Sequence, residues 1–352
     1  MTSEPRALWD WPHERDINGV SFASLLDQGR LRPALARLPI LRAVMLRRAA
    51  RDYDVLVVGL AGGTTRMLLL LERLFPTSRR YIVLLHFIPE VSWARSGTLR
   101  GSLLSAVKLV NLRLVVRPVV QKSVLRCQVL TKWEVERNAR YFDIPRDRIS
   151  LTPYPLRQGS DELPGSDGKS GVFASGRAAC DWPTVFAAAG AGEWSLTVVC
   201  GRRDLAQVQR LNRDGRAIVL VDVSADEHAR LMRSAMVYLL ALRDRQVSSG
   251  QIRLSDAIRS GTPVVLGEVP GISEYVVAEH TALTYPPGDA RAAGDQIRRL
   301  ATDPELRRRV CEEAFARAGE WTREQYRAAM HDLVNAAAAE ASARRSPSGD
   351  RR

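Results

Sequence analysis

The stretch from Ser248 to Tyr275, "SSGQIRLSDAIRSGTPVVLGEVPGISEY", decides the fold. It opens on Ser-Ser-Gly-Gln, continues as a helix through "IRLSDAIRS", passes into the buried strand "TPVVLG" and closes on a second glycine turn, "EVPGISEY". The run "MVYLLAL" just before it reads as another strand. Strand, glycine-opened helix and strand form the unit of an open α/β sheet, where ligands sit at the carboxyl ends of the strands and face helix N-termini. Glycine permits close approach there, and the amides of Ser249, Gly250 and Gln251 together with the helix dipole favour negative charge, as on a diphosphate. Asp256 lies two turns beyond Ser248 and Ser249 and points along the same face. Its carboxylate can accept paired hydrogen bonds from vicinal hydroxyls. The plain alternative makes Ser249 an N-cap and Asp256 a solvated helix residue.

Working outward, short apolar runs alternate with helical patterns throughout the second half. "GVFAS" (171–175), "SLTVVC" (195–200), "AIVLVD" (217–222), "MVYLLAL" (236–242), "TPVVLG" (262–267) and "ALTY" (282–285) predict a parallel, doubly wound sheet. Between the third and fourth, Ser224 and Glu227 form the capping box of a helix. Asp303-Pro304 starts a new helix, and "WTREQYRAAMHDLVNAAAAEA" forms the last one. In the first half, "YDVLVVGLAGG" reads as a strand ending in a glycine turn, followed by a helix, the strand "YIVLLHF" and the strand and helix of "CQVLTKWEVERNARYF". The first 50 residues offer no convincing opening strand, which predicts an abbreviated N-terminal domain over 1–160. A Gly/Ser/Pro/Asp-rich connection near Gly159 to Lys169 marks the boundary. The second domain runs over 170–320, a helix at 321–341 packs back on the first, and the tail 342–352 is disordered.

The 352 residues suit two cores, and 45% hydrophobic with 26% charged residues is a globular composition. The net charge of +13 is unevenly placed: residues 1–160 hold 26 Lys+Arg against 13 Asp+Glu, and the remainder holds 26 of each. A basic half suggests an anionic partner, and the acid-free stretches "RPALARLPILRAVMLRRAA" and Ala94 to Val124 fit amphipathic helices lying on anionic lipid. The alternative is core-facing helices with solvated basic faces. Nucleic acid fits poorly, because aromatics are only 6% and no recognition motif is present. Four scattered cysteines give neither a zinc site nor a disulfide framework. No apolar run spans a bilayer and no signal-peptide core is seen, so the expected location is the cytoplasm, with any membrane contact peripheral at the inner face.

The decisive stretch resembles the donor-binding block of GT-B glycosyltransferases of the large retaining class (glycosyl transferases group 1, family 4-like). Their pattern runs Glu-x7-Glu, Ala-Met-Ala-x-Gly-x-Pro-Val-Val and Gly-Gly-x-x-Glu. Here Asp256-Ala257-Ile258-Arg259-Ser260-Gly261-Thr262-Pro263-Val264-Val265 matches its core and Pro270-Gly271-Ile272-Ser273-Glu274 its tail. "FASGRAACDW" resembles the opening Gly-Arg turn, in which Arg177 would meet donor phosphates. The likeness covers most of residues 126–335 and is specific over 245–275. It implies an α/β GT-B fold, two Rossmann-like domains facing across a cleft, the first for the acceptor and the second for the donor. It also implies transfer of a sugar from a nucleotide-diphosphate sugar to an acceptor hydroxyl, retaining and without metal or cofactor. Donor-binding residues would be Arg177, Ser248, Ser249, Gly250, Gln251, Arg253, Asp256, Gly271 and Glu274. His86, at a strand end where the family often has a histidine, is the catalytic candidate, and a structural histidine is the alternative. The acceptor is expected to be lipid-linked or a glycan.

Two departures stand out. Ser248 replaces the family's first glutamate, and the lysine expected after Arg177 is missing, its charge left to Arg253 or to one of Arg202, Arg203, Arg243 and Arg245. A catalytically silent subunit partnering an active transferase, or a sugar-nucleotide epimerase on the same fold, therefore remain open alternatives. Asp52-Tyr53-Asp54 spells a metal-chelating Asp-x-Asp, but it precedes a strand rather than following one, and no metal site is expected.

Overall fold

The computed structural model describes residues 6–9, 21–23, 38–60, 62–89, 99–159, 161–165, 168–190, 192, 194–245 and 247–345. The tail expected from 342 is helical over 342–345, where the final helix continues; the residues beyond 345, the start of the first basic stretch and residues 94–98 of the second lie outside the described residues. The chain divides into two compact units, one of Met1–Thr152 with Arg327–Arg352, the other of Pro153–Tyr326.

Among the described residues the first unit carries a six-stranded parallel sheet: β1 (Arg6–Trp9), β2 (Ser21–Ala23), β3 (Val55–Gly59), β4 (Ile82–Leu85), β5 (Val124–Val129) and β6 (Ile149–Leu151), in the order β2-β1-β3-β4-β5-β6. β1 and β2 sit where the sequence promised no strand, since four and three residues are too short for a period to show. β3 and β4 are buried on both faces, as a covered parallel sheet requires. Glu72, 1% exposed, ties this core internally: its carboxylate accepts from Arg47 Nε (2.7 Å), Tyr81 O–H (2.7 Å) and Ser123 Oγ (3.1 Å). The Asp-x-Asp stretch has a structural use, because Asp54 Oδ2 accepts from the backbone N–H of Arg6 at 2.8 Å and so fixes β1 against β3. Of the first basic stretch, the helix Pro39–Ala49 turns Ala43, Leu46 and Ala49 into the core, and Arg47 is the partner of Glu72. The final helix, Arg323–Arg345, buries Met330, Val334, Ala337 and Ala338, and its Glu340 pairs with Arg126 at 2.7 Å.

The second unit holds β7 (Ser170–Gly176), β8 (Leu196–Cys200), β9 (Ala217–Val221), β10 (Ala235–Leu240), β11 (Val264–Gly267) and β12 (Leu283–Tyr285), all parallel, in the order β12-β11-β10-β7-β8-β9. Read from β9, this is 3-2-1-4-5-6, the doubly wound dinucleotide order. The alternation of side chains splits the core into two layers. Val172, Ala174, Val237 and Leu239 face one side with Trp182 and Ile297; Phe173, Tyr238 and Leu240 face the other with Leu254 and Ile272. The order reverses between β7 and β10, and that switch point is where the crevice opens.

Candidate functional site

A cavity of about 400 Å³ lies at the carboxyl ends of β7 and β8, walled by the helices Ala225–Ser234 and Gln251–Arg259. β7 delivers Ser175, Gly176 and Arg177 to it, and β8 delivers Val199 and Cys200. Gly201 follows at the rim, where the side chain of Arg177 lies 3.4 Å from the place a Cβ would take. Val223, Ser224 and Ala225 bring in the start of the first helix, whose cap is half of the expected box. Ser224 Oγ accepts from Glu227 N–H at 3.2 Å, while the Glu227 carboxylate turns to Arg230 (2.6 and 2.9 Å).

Positive charge dominates the lining, with Arg177, Arg233, Arg253 and Arg259 around it. Arg177 and Arg202 both pair with Asp222, at 3.2 and 3.4 Å, and Asp222 takes a left-handed backbone conformation (φ 48°) just after β9. Arg253 projects from the helix after β10. Its Nη1 donates to Asp256 Oδ2 at 2.7 Å and stands 3.0 and 3.2 Å from the two ring nitrogens of His228. A guanidinium only donates, so the imidazole must offer a lone pair and stay neutral. Burial is the larger cause, with Arg253 and Arg177 adding to it, and together they push the His228 pKa down to about 4. The same ring meets Ser175 Oγ at 2.8 Å, and Tyr238 O–H donates to the Ser175 carbonyl at 3.0 Å. Burial raises the Asp256 carboxyl above its ordinary range, against the pull of Arg253 and Arg259. The wall is thus a linked chain, Tyr238, Ser175, His228, Arg253 and Asp256, reaching from the sheet to the cavity.

Three residues singled out from sequence, Arg177, Arg253 and Asp256, line this cavity. Ser248, Ser249, Gly250, Gln251, Gly271 and Glu274 form a second group at the start of the same helix, outside the cavity lining. There Gly250 adopts φ 93°, and a Cβ on it would press on Leu242 and Ile272 at 2.8 Å. A Cβ on Gly271 would lie 2.5 Å from Ser248 Cα, so the two glycine turns pack backbone to backbone. Gln251 is buried and donates its amide to the Gly271 carbonyl, which locks these turns together. Ser248 is buried beneath them. Arg243 contributes through its backbone, N–H to the Ala179 carbonyl at 2.7 Å, and its side chain is exposed. His86 belongs to the first unit. It follows β4 with φ 48°, its N–H donates to Gln128 Oε1 at 2.7 Å, and burial lowers its pKa. His228 was missed in the sequence; the signal was its place four residues before Met232, on a helix face that both bury.

Residues 179–303 match the model of a family described as glycosyl transferases group 1. The match covers 125 of the 352 residues and lies wholly within the second unit. Among solved structures the chain is similar to the sucrose-phosphate synthase of Thermosynechococcus elongatus (16% identity, TM-score 0.66, covering 96% of this chain and 100% of that one). It is also similar to HepE of Anabaena in complex with UDP (15%, 0.61, 94% and 100%) and to a glycosyltransferase of Rickettsia africae (9%, 0.61, 95% and 99%). Identities this low speak for the fold alone, which is the expected GT-B pair of Rossmann-like units. No curated protein sequence matches the chain.

Proposed function

We propose that the protein transfers a sugar from a nucleotide-diphosphate donor, bound in the second unit, to an acceptor hydroxyl, retaining configuration and needing no metal. The observation that carries this reading is the convergence of Arg177, Arg253 and Asp256 on one cavity at the switch point of the 3-2-1-4-5-6 sheet. The guanidiniums supply what a departing diphosphate requires, namely fixed positive charge that needs no reorganisation as the bond breaks. Asp256, held through Oδ2 by Arg253, presents its carboxylate to ribose hydroxyls. The group of turns at Ser248 to Gln251 adds helix N-terminal amides for the second phosphate. With the proton leaving the acceptor hydroxyl for the freed phosphate oxygen, no protein base is needed. His86, in the first unit, is kept for the acceptor, and an amphiphilic, lipid-linked or glycan acceptor accords with the basic charge of that unit.

HepE of Anabaena forms a complex with UDP, which makes UDP the first probe here. A ligand at 100 times its Kd adds about 2.7 kcal/mol to the native state, which for a domain of this size raises Tm by roughly 5–10 °C. UDP or another nucleoside diphosphate should do so in a thermal scan of nucleotide sugars, and Arg253→Ala should abolish the shift. Binding without turnover of any donor in the panel would instead identify a catalytically silent subunit, the role that Ser248 in place of a glutamate leaves open. If no nucleotide stabilises the chain, the donor-site reading is wrong.

A further inference from the structure

The helical run from Leu99 to Lys122 in the first unit is unusual in which side it leaves uncovered. It comprises the helix Leu99–Asn111, a π-helical stretch Leu112–Val116 and the helix Arg117–Lys122. Leu112, Val116, Val119 and Val120 enter the core, as an amphipathic helix should place them. Yet Leu103, Val107, Val110 and Leu114 are 54–65% exposed on the other side, and the spacing of four, three and four keeps them on one ridge. Arg73 Nε donates to the Leu114 carbonyl at 2.9 Å, which brings the exposed Leu74 and Phe75 beside the end of that ridge. Arg73, Lys108 and Arg113 are exposed around these apolar side chains. No acidic residue occurs from Ala94 to Val124.

We infer that this ridge docks on an anionic bilayer, with Leu103, Val107, Val110 and Leu114 in the interfacial region and Arg73, Lys108 and Arg113 against lipid phosphates. Two observations choose the occupant. An apolar ridge with exposed Arg73, Lys108 and Arg113 beside it and no acidic residue in its own run complements a surface that is apolar below and anionic above. A second copy of the chain would have to bring the same exposed cations against its own. Among the described residues no helix is long and apolar enough to cross a membrane, so the attachment is peripheral. The inference concerns the first unit and is independent of the donor reading, which nucleotide binding reports separately.

Vesicle sedimentation of the full chain tests it, with phosphatidylglycerol mixed into phosphatidylcholine against phosphatidylcholine alone, at low and high salt. The wild type should partition at least tenfold more strongly onto the anionic vesicles, and salt should release it. Lys108→Gln and Arg113→Gln should each weaken partition about fivefold, the equivalent of about 1 kcal/mol per basic residue. Val107→Asp with Val110→Asp should abolish it at low salt while Tm and nucleotide binding stay unchanged, since both side chains are exposed. Absence of wild-type binding at low salt overturns the inference, as does unchanged binding of the Val107/Val110 variant. A wild-type dimer in solution that this variant converts to monomer would assign the ridge to a second copy instead.

Discussion

Acidification should loosen the second unit through His228 in particular. The imidazole side chain is 10% exposed and accepts from Arg253, so a proton placed on it must sit beside a fixed guanidinium in a poorly solvated wall. Its pKa falls from 6.5 to about 4 on folding, so between those values the unfolded chain binds more protons than the native one. Stability from this residue is therefore complete above pH 6.5 and is lost as pH falls through 4. At about 1.4 kcal/mol per pKa unit, the loss reaches about 2 kcal/mol by pH 5 and about 3 kcal/mol by pH 4. For a unit the size of Pro153–Tyr326 that is a Tm decrease of roughly 6–10 °C. Carboxylates also titrate in this range, so the measurement compares slopes. Wild type and His228→Gln are melted from pH 7.5 to pH 4, glutamine keeping an acceptor for Arg253. The wild-type curve should fall more steeply by the amounts above. Parallel curves, or an NMR titration that puts the His228 pKa above 6, would refute the argument that Arg253 and burial hold the ring neutral.

Further outcomes follow from other parts of the molecule. Asp256→Ala should weaken nucleoside diphosphate binding by about 1–3 kcal/mol in calorimetry, the cost of leaving polar partners unpaired; equal affinity would take Asp256 out of the site. Sugar transfer should persist in EDTA, and activity lost there but restored by Mn²⁺ or Mg²⁺ would overturn metal independence. Gly271→Ala sets a Cβ 2.5 Å from Ser248 Cα and should cost about 1–3 kcal/mol in urea unfolding, with the turn pair disrupted. Glu72→Leu strands Arg47 in the first unit, and a loss of about 3–5 kcal/mol in thermal unfolding is expected.

The second unit was the more legible because its strands carry long apolar runs between clear helix signals. All six predicted strands are present, with ends shifted by one or two residues. The first unit hid β1 and β2: β1 holds its place through pairing with β3 and through Asp54, and β2 through pairing with β1, none of it visible in seven residues of sequence. At the site, spacing along one helix grouped Asp256 with Ser248 and Ser249, whereas the cavity brings Asp256 together with Arg253, three residues before it on the same face. Spacing could not separate the cavity from the neighbouring turns. The side-chain amide of Gln251 donates to the Gly271 carbonyl, a contact across twenty residues that spacing along one helix cannot show. His228 and Ser175 escaped for the same reason, their meeting being set by how β7 packs under the helix Ala225–Ser234.

The path of the chain through its two units sets a timetable for synthesis. The segment Pro153–Tyr326 is continuous and can close its sheet as soon as it leaves the ribosome, whereas the first unit also includes residues from Arg327 onward. Val334, Ala337 and Ala338, all fully buried, belong to that late helix. At roughly 5–20 residues per second, the 174 residues of the second unit keep the first waiting on the order of 10–30 s with its closing helix unmade. The part born first is thus finished last. During that interval its apolar surface is exposed to holdase chaperones, and a fragment ending at Thr152 should behave as an unfinished, aggregation-prone domain.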